Sequence, residues 1–158
     1  LVDTGALTKF QADRLLRGRG RELVVGPYIL LAPLGRGRSG RVFRAVPRDG
    51  GPAVAVKVLV RDLIDDLDEA ALDRFRREAE LVGRAAHPNV VRVLDVGADG
   101  PTQYLVLELA DGDDLGRVVA AEGPLPVGRA ADLVRQAAAG LSHLAGCGVV
   151  HRDVKPSN

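Results

Sequence analysis

The chain has 158 residues, 46% of them apolar and 27% charged, and a formal net charge of +1. That length supports one domain with a real core, and the near-neutral charge argues against nucleic acid or an anionic membrane as the main partner. The longest uncharged runs are too short for a bilayer span, no signal-peptide pattern is present, and the one cysteine, Cys147, fits a reducing, cytoplasmic setting without a disulfide framework.

Residues 1–26 read as a leader. Thr8 and Gln11 have the spacing of a capping box that opens a short helix. Gly18 is placed to stop it, and a basic, solvated linker runs from Arg14 to Arg21. From Tyr28 the pattern changes to strands, expected over Tyr28–Leu34, Arg41–Val46 and Ala53–Leu59, with the glycine-rich run Gly35 to Gly40 between the first two. Residues 66–84 take helical spacing through Leu72, Phe75, Ala79 and Val82. His87-Pro88 precedes two further strands, Val90–Val96 and Gln103–Leu109, joined at Gly100-Pro101. Asp111, Asp113 and Asp114 read as loop residues, and Arg129–Leu144 as a second helix leading into the closing segment His151 to Asn158. The order is that of an α+β fold.

Lysine is rare: Lys9, Lys57 and Lys155 stand among 22 basic residues. Scattered at random, three lysines would occupy both of the last two positions in only roughly 1% of arrangements, so an ammonium is wanted there where a guanidinium would not serve. Gly35-x-Gly37-x-x-Gly40 alone is a weak signal. A dinucleotide fold would need a helix after it, whereas Arg41-Val42-Phe43-Arg44-Ala45-Val46 alternates like a strand. A glycine-tipped hairpin can cover phosphates through its backbone N–H groups, although an ordinary loose hairpin has the same pattern. On the third strand Ala55 and Lys57 share one face, where a flat base could lie on the alanine and the ammonium reach phosphate oxygens. A solvated edge lysine is the plainer alternative. Glu78 projects from the apolar stripe of its helix, where a carboxylate needs a cation; Lys57 is available. In the closing segment Asp153, Lys155 and Asn158 set a carboxylate, an ammonium and an amide at fixed offsets. They suit accepting a hydroxyl proton, neutralising a transferring phosphoryl group and ligating a hard cation.

Taken together, these residues resemble the eukaryotic-like protein kinase family, most of all its bacterial Ser/Thr branch. The matching motifs are Gly35-x-Gly37-x-x-Gly40-x-Val42, Val54-Ala55-Val56-Lys57, Glu78, His87-Pro88-Asn89-Val90-Val91 and His151 to Asn158. The resemblance covers residues 28–158 and implies a kinase-like fold with a five-stranded N-lobe and one helix over 27–109. It further implies a hinge over 108–112 and the start of a helical C-lobe over 113–158. It implies ATP and Mg²⁺ as cofactors and protein Ser/Thr hydroxyls as substrates. Asp153 would be the catalytic base, Lys57 paired with Glu78 would hold phosphates, and Lys155 would act beside Asp153. Leu34, Gly35, Gly37, Ser39, Gly40, Val42 and Ala55 would surround the nucleotide. Leu107 would be the gatekeeper, the backbone of Glu108 and Ala110 would read adenine, and Asn158 would bind magnesium. Val82, Val93 and His151 would stack in the regulatory spine. The loop tip, Arg38-Ser39, departs from the pattern, with little effect expected because it acts through backbone.

Since methionine is absent even at position 1 and the Asp-Phe-Gly motif would lie past Asn158, the chain is expected to be an N-terminal fragment, inactive alone. Two other readings compete: an ATP-binding pseudokinase scaffold, and a small-molecule phosphotransferase of related fold.

Overall fold

The computed structural model describes residues 1–37, 40–59 and 69–157. A helix, α1 (Lys9–Leu16), and a 3₁₀ turn (Gly20–Leu23) lead into six strands. These are β1 (Val24–Val25), β2 (Tyr28–Gly37), β3 (Gly40–Pro47), β4 (Val54–Val58), β5 (Val93–Asp99) and β6 (Thr102–Glu108). Between β4 and β5 stands α2 (Glu69–Arg84), and after β6 come α3 (Leu115–Glu122) and α4 (Val127–Gly146). The strands form one antiparallel sheet in the order β1-β2-β3-β4-β6-β5. The chain divides into two compact units, Leu1–Ala79 with Val93–Leu109, and Glu80–Arg92 with Ala110–Asn158.

In the first unit, alternation puts Val54, Val56 and Val58 on the face that packs with Leu30, Phe43, Ala45, Tyr104 and Val106. Although β1 and β5 stand at opposite edges, the Gly26 N–H donates to Asp99 Oδ2 at 2.9 Å. The Tyr28 hydroxyl donates to Asp95 Oδ2 at 3.2 Å. The sheet therefore curls until its two ends meet, as twisted antiparallel sheets can. Tyr104 sits in the seam, edge-on to Tyr28 with ring centroids 6.0 Å apart. A Cβ added to Gly26 or Gly97 would fall 2.5 or 2.2 Å from its hydroxyl oxygen, so the seam closes only over bare backbone. Arg76 of α2 reaches the sheet by donating to Gln103 Oε1 at 3.2 Å.

The leader behaves as its capping box predicts: Thr8 Oγ1 accepts the Gln11 N–H, and Gln11 Oε1 accepts the Thr8 N–H. Gly18 follows the helix at φ +71. Three expectations need correction. The sheet has a sixth strand, the two-residue β1, whose turn back at Gly26 uses φ +54. The fourth expected strand starts later, at Val93 rather than Val90. There Val90 N–H closes a turn onto the His87 carbonyl, and its side chain packs near Gly140 of α4 instead of joining the sheet. Finally, α3 was not expected at all, although Asp114 caps it by accepting the Arg117 N–H at 3.0 Å.

In the second unit, the His87 and His143 rings stack with centroids 5.0 Å apart. Gly140 lets α4 approach the Asn89 backbone, where a Cβ would meet the Asn89 carbonyl oxygen at 2.7 Å.

Candidate active site

Directly opposed residues of an antiparallel pair project to the same face. Gly35 faces Val42, Val42 faces Lys57, and Lys57 faces Leu105, so these residues form one row across the sheet. Beside it runs a second row, Ala32, Arg44, Ala55 and Leu107. Both rows lie on the face opposite the core valines of β4. Lys57 is half-buried, Ala55 is buried, and a Cβ on Gly35 would meet nothing within 4 Å. The face thus offers a small apolar floor, an ammonium and a bare glycine backbone beside one another, a set that fits a flat base and its phosphates. Gly40 is constrained differently: a Cβ there would fall 2.1 Å from the Val58 carbonyl oxygen, so this glycine lets β3 lie close against the end of β4. Leu34 is the extra residue of a bulge, because Pro33 faces Phe43 and Gly35 faces Val42, and it is 42% exposed. Glu108 ends β6 opposite Val54, and Ala110 is exposed just past the strand.

The closing loop belongs to the other unit. Asp153 N–H donates to His151 Nδ1 at 3.3 Å, and Lys155 Nζ donates to Asp153 Oδ2 at 2.7 Å. Both partners of that ion pair are well exposed, which limits its worth to at most about 1 kcal/mol of stability. Its role is geometric, since it fixes a cation beside the carboxylate. Just before the carboxylate, Arg152 has φ +59, the one non-glycine among the described residues with positive φ. Such a conformation costs on the order of 1–3 kcal/mol and concentrates at functional loops. The Gly116 N–H at the start of α3 donates to the Pro156 carbonyl at 3.1 Å and anchors the loop. That anchor was not foreseen, although Asp114 before Leu115 carries the N-cap signal that could have located it.

Ser39 and Asn158 lie outside the described residues, as do the loop tip and the side chain of Glu78, whose backbone falls within α2. Within the sheet unit the structure brings Gly35, Val42, Ala55, Lys57 and Leu107 onto one face, and within the other it brings Asp153 to Lys155. Val82 and Val93 are half-buried and His151 is exposed. Among the described residues no three His, Cys, Asp or Glu side chains group as a metal site. No described helix is long and apolar enough to cross a membrane.

Comparison with known proteins decides the family, because the profile described as "Protein kinase domain" matches residues 28–158. The chain belongs to the protein kinase family. This kinase chain is 41% identical over 133 residues to the serine/threonine-protein kinase pkn2 of Myxococcus xanthus, covering 84% of itself and 16% of that protein. It is 42% identical over 142 residues to the serine/threonine-protein kinase PkaA of Streptomyces coelicolor, covering 83% of itself and 26% of that protein. The chain therefore spans only 16% and 26% of the length of these two curated relatives. Its fold matches the crystal structure of the Mycobacterium tuberculosis PknI kinase domain with a TM-score of 0.73 at 29% identity, covering 85% of this chain and 54% of that one. The α+β class read from the strand and helix order and the kinase-like fold that the resemblance implied are both the observed ones.

Proposed function

We propose that this chain carries the nucleotide-binding sheet and the catalytic loop of an ATP-dependent protein Ser/Thr kinase. The observation that carries the reading is the shared face of Gly35, Val42, Lys57, Ala55 and Leu107, turned away from the core and combining a small floor with a cation. Lys57, held by Glu78, would bind the α- and β-phosphates. Gly37, Ser39 and Gly40 would close over them, Leu34 and Val42 would flank the base, and the Glu108 and Ala110 backbone would read its edge. Asp153 would accept the proton of a Ser or Thr hydroxyl as that oxygen forms its bond to the γ-phosphorus and the bridging oxygen leaves with ADP. Lys155, already at 2.7 Å from the Asp153 carboxylate, would neutralise charge on the transferring group. Magnesium, when bound with Asn158 as a ligand, supplies charge neutralisation to the nucleotide phosphates. The proposed partners are ATP and protein hydroxyls in a reducing cytoplasm, without nucleic acid.

Asp153→Asn tests the roles in the full product of the gene. Phosphoryl transfer to a basic protein should fall by about 10³-fold or more, with nucleotide affinity unchanged. Retained transfer would remove Asp153 as the base. A wild-type protein that binds ATP without transferring phosphate would favour the scaffold reading.

A further inference from the structure

The leader helix plays no part in the chemistry above, yet its polar contacts converge on one place in the sheet. β1 pairs only with Tyr28 and Ile29, so from Leu30 onward β2 lacks a strand partner on that side. At that point β2 also bulges: Leu30 faces Ala45 and Ala32 faces Arg44, which leaves Leu31 as the extra residue. Helix α1 supplies a donor to each carbonyl there. Gln11 Nε2 donates to Leu30 O at 3.0 Å, and Thr8 Oγ1 donates to Leu31 O at 2.5 Å. Gln11 is 7% exposed, and its Oε1 accepts the Thr8 N–H, so one buried amide ties the helix cap to the bulge. Phe10 adds an apolar contact, its ring 5.7 Å from that of Phe43 on the facing strand.

What lies downstream gives these contacts their meaning. A second bulge at Leu34 delivers Gly35 opposite Val42, in the row that contains Lys57. Pairing has a period of two, so a slip of one residue at Leu31 would take Gly35 out of the row it shares with Val42 and Lys57. We infer that Gln11 is a positioning residue: with Thr8 and Phe10 it holds the Leu31 bulge in the register that aims the glycine hairpin at the nucleotide. This rests on the nucleotide site proposed above.

Gln11→Glu separates this role from helix capping. Glutamate keeps an acceptor for the Thr8 N–H, as in other capping boxes, but has no donor for the Leu30 carbonyl. Hydrogen exchange on the protein should show the amides of residues 31, 32, 34–37 and 40–43 losing protection by about tenfold or more, with α4 and residues 151–155 unchanged. In the full gene product KM for ATP should rise by about threefold or more at nearly constant kcat. Arg17→Ala, which breaks only the surface pair with Asp13, should change neither. Loosening confined to residues 8–17, or a loosened hairpin with unchanged KM, would overturn the inference. Where Gln11→Glu does not fold, Gln11→Ala removes the donor and the capping acceptor together without burying a charge, and the loosening should again reach residues 34–37 and 40–43 with the same rise in KM. A wild-type protein that fails to bind ATP would sink the nucleotide reading, whereas hairpin exchange would still report the brace.

Discussion

The two units of this kinase chain place their apolar residues in opposite ways. In the sheet unit Ala45, Val56 and Val106 are 0% exposed and Leu30 is 2% exposed, all within one cluster. In the helical unit α3 buries no residue and α4 buries only Gly140 and Leu144, while Val127 is 86% and Val134 68% exposed. Burial of apolar surface is the main favourable term in folding. The sheet unit therefore has its own source of stability. The helical unit relies on intrahelical bonds, caps and a few contacts such as His87 on His143. The candidate chemistry divides along the same line. The cation that would meet phosphate stands on the consolidated sheet, whereas the carboxylate that would take a proton stands on the lightly packed unit, which should open first.

The contrast can be broken most directly at Gly40. A methyl group there would have to displace the Val58 backbone, so Gly40→Ala should cost about 3 kcal/mol or more and lower the denaturant midpoint of the sheet unit. Gly35, with open space around its Cα, should accept alanine at under about 0.5 kcal/mol. Next in size, Val106→Ala removes two buried methyl groups and should cost about 2 kcal/mol, whereas Val134→Ala should stay within about 0.5 kcal/mol. Equal effects at the two valines, measured by chemical denaturation, would erase the distinction between the units.

The smallest effect concerns pH. Burial, and then the Asp95 carboxylate, push the Tyr28 phenol from its ordinary value of 10.0 up to about 12. Burial, Asp95 and Asp99 push Tyr104 in the same direction. Between pH 10 and about 12 the folded chain keeps a proton that the unfolded chain releases, so stability falls as pH rises through that window and is fully present below it. Tyr28→Phe should reduce, and not abolish, the slope of unfolding free energy against pH there, because Tyr104 still contributes. An unchanged slope would mean that the sheet seam is not where the alkaline sensitivity lies.

How much of this was legible in the sequence depended on the range of the interaction. Alternation in Val54-Ala55-Val56-Lys57-Val58 is local, and it correctly separated the core face from the face bearing Lys57. The Thr8–Gln11 cap is also local and formed as expected. Asp114 was legible in principle, but the two neighbouring aspartates, Asp111 and Asp113, with Gly112 masked the cap as a polar loop. Val90 has strand propensity that packing near Gly140 overrides. The brace from Gln11 to Leu30 could not be read, because nothing in a linear pattern marks which strand carbonyl a bulge will leave unpaired. Nor could the left-handed backbone of Arg152, since arginine carries no preference for it.

The edge-on pair Tyr28 and Tyr104 has a practical consequence. With no tryptophan in the chain and only these two tyrosines, every near-ultraviolet signal other than that of phenylalanine arises in the sheet unit. Tyrosine fluorescence is thus a one-sided reporter, blind to α3 and α4, which contribute strongly to far-ultraviolet circular dichroism. Melting curves from the two methods should separate wherever the units come apart independently, and the gap between them would measure the coupling of the two units without any label.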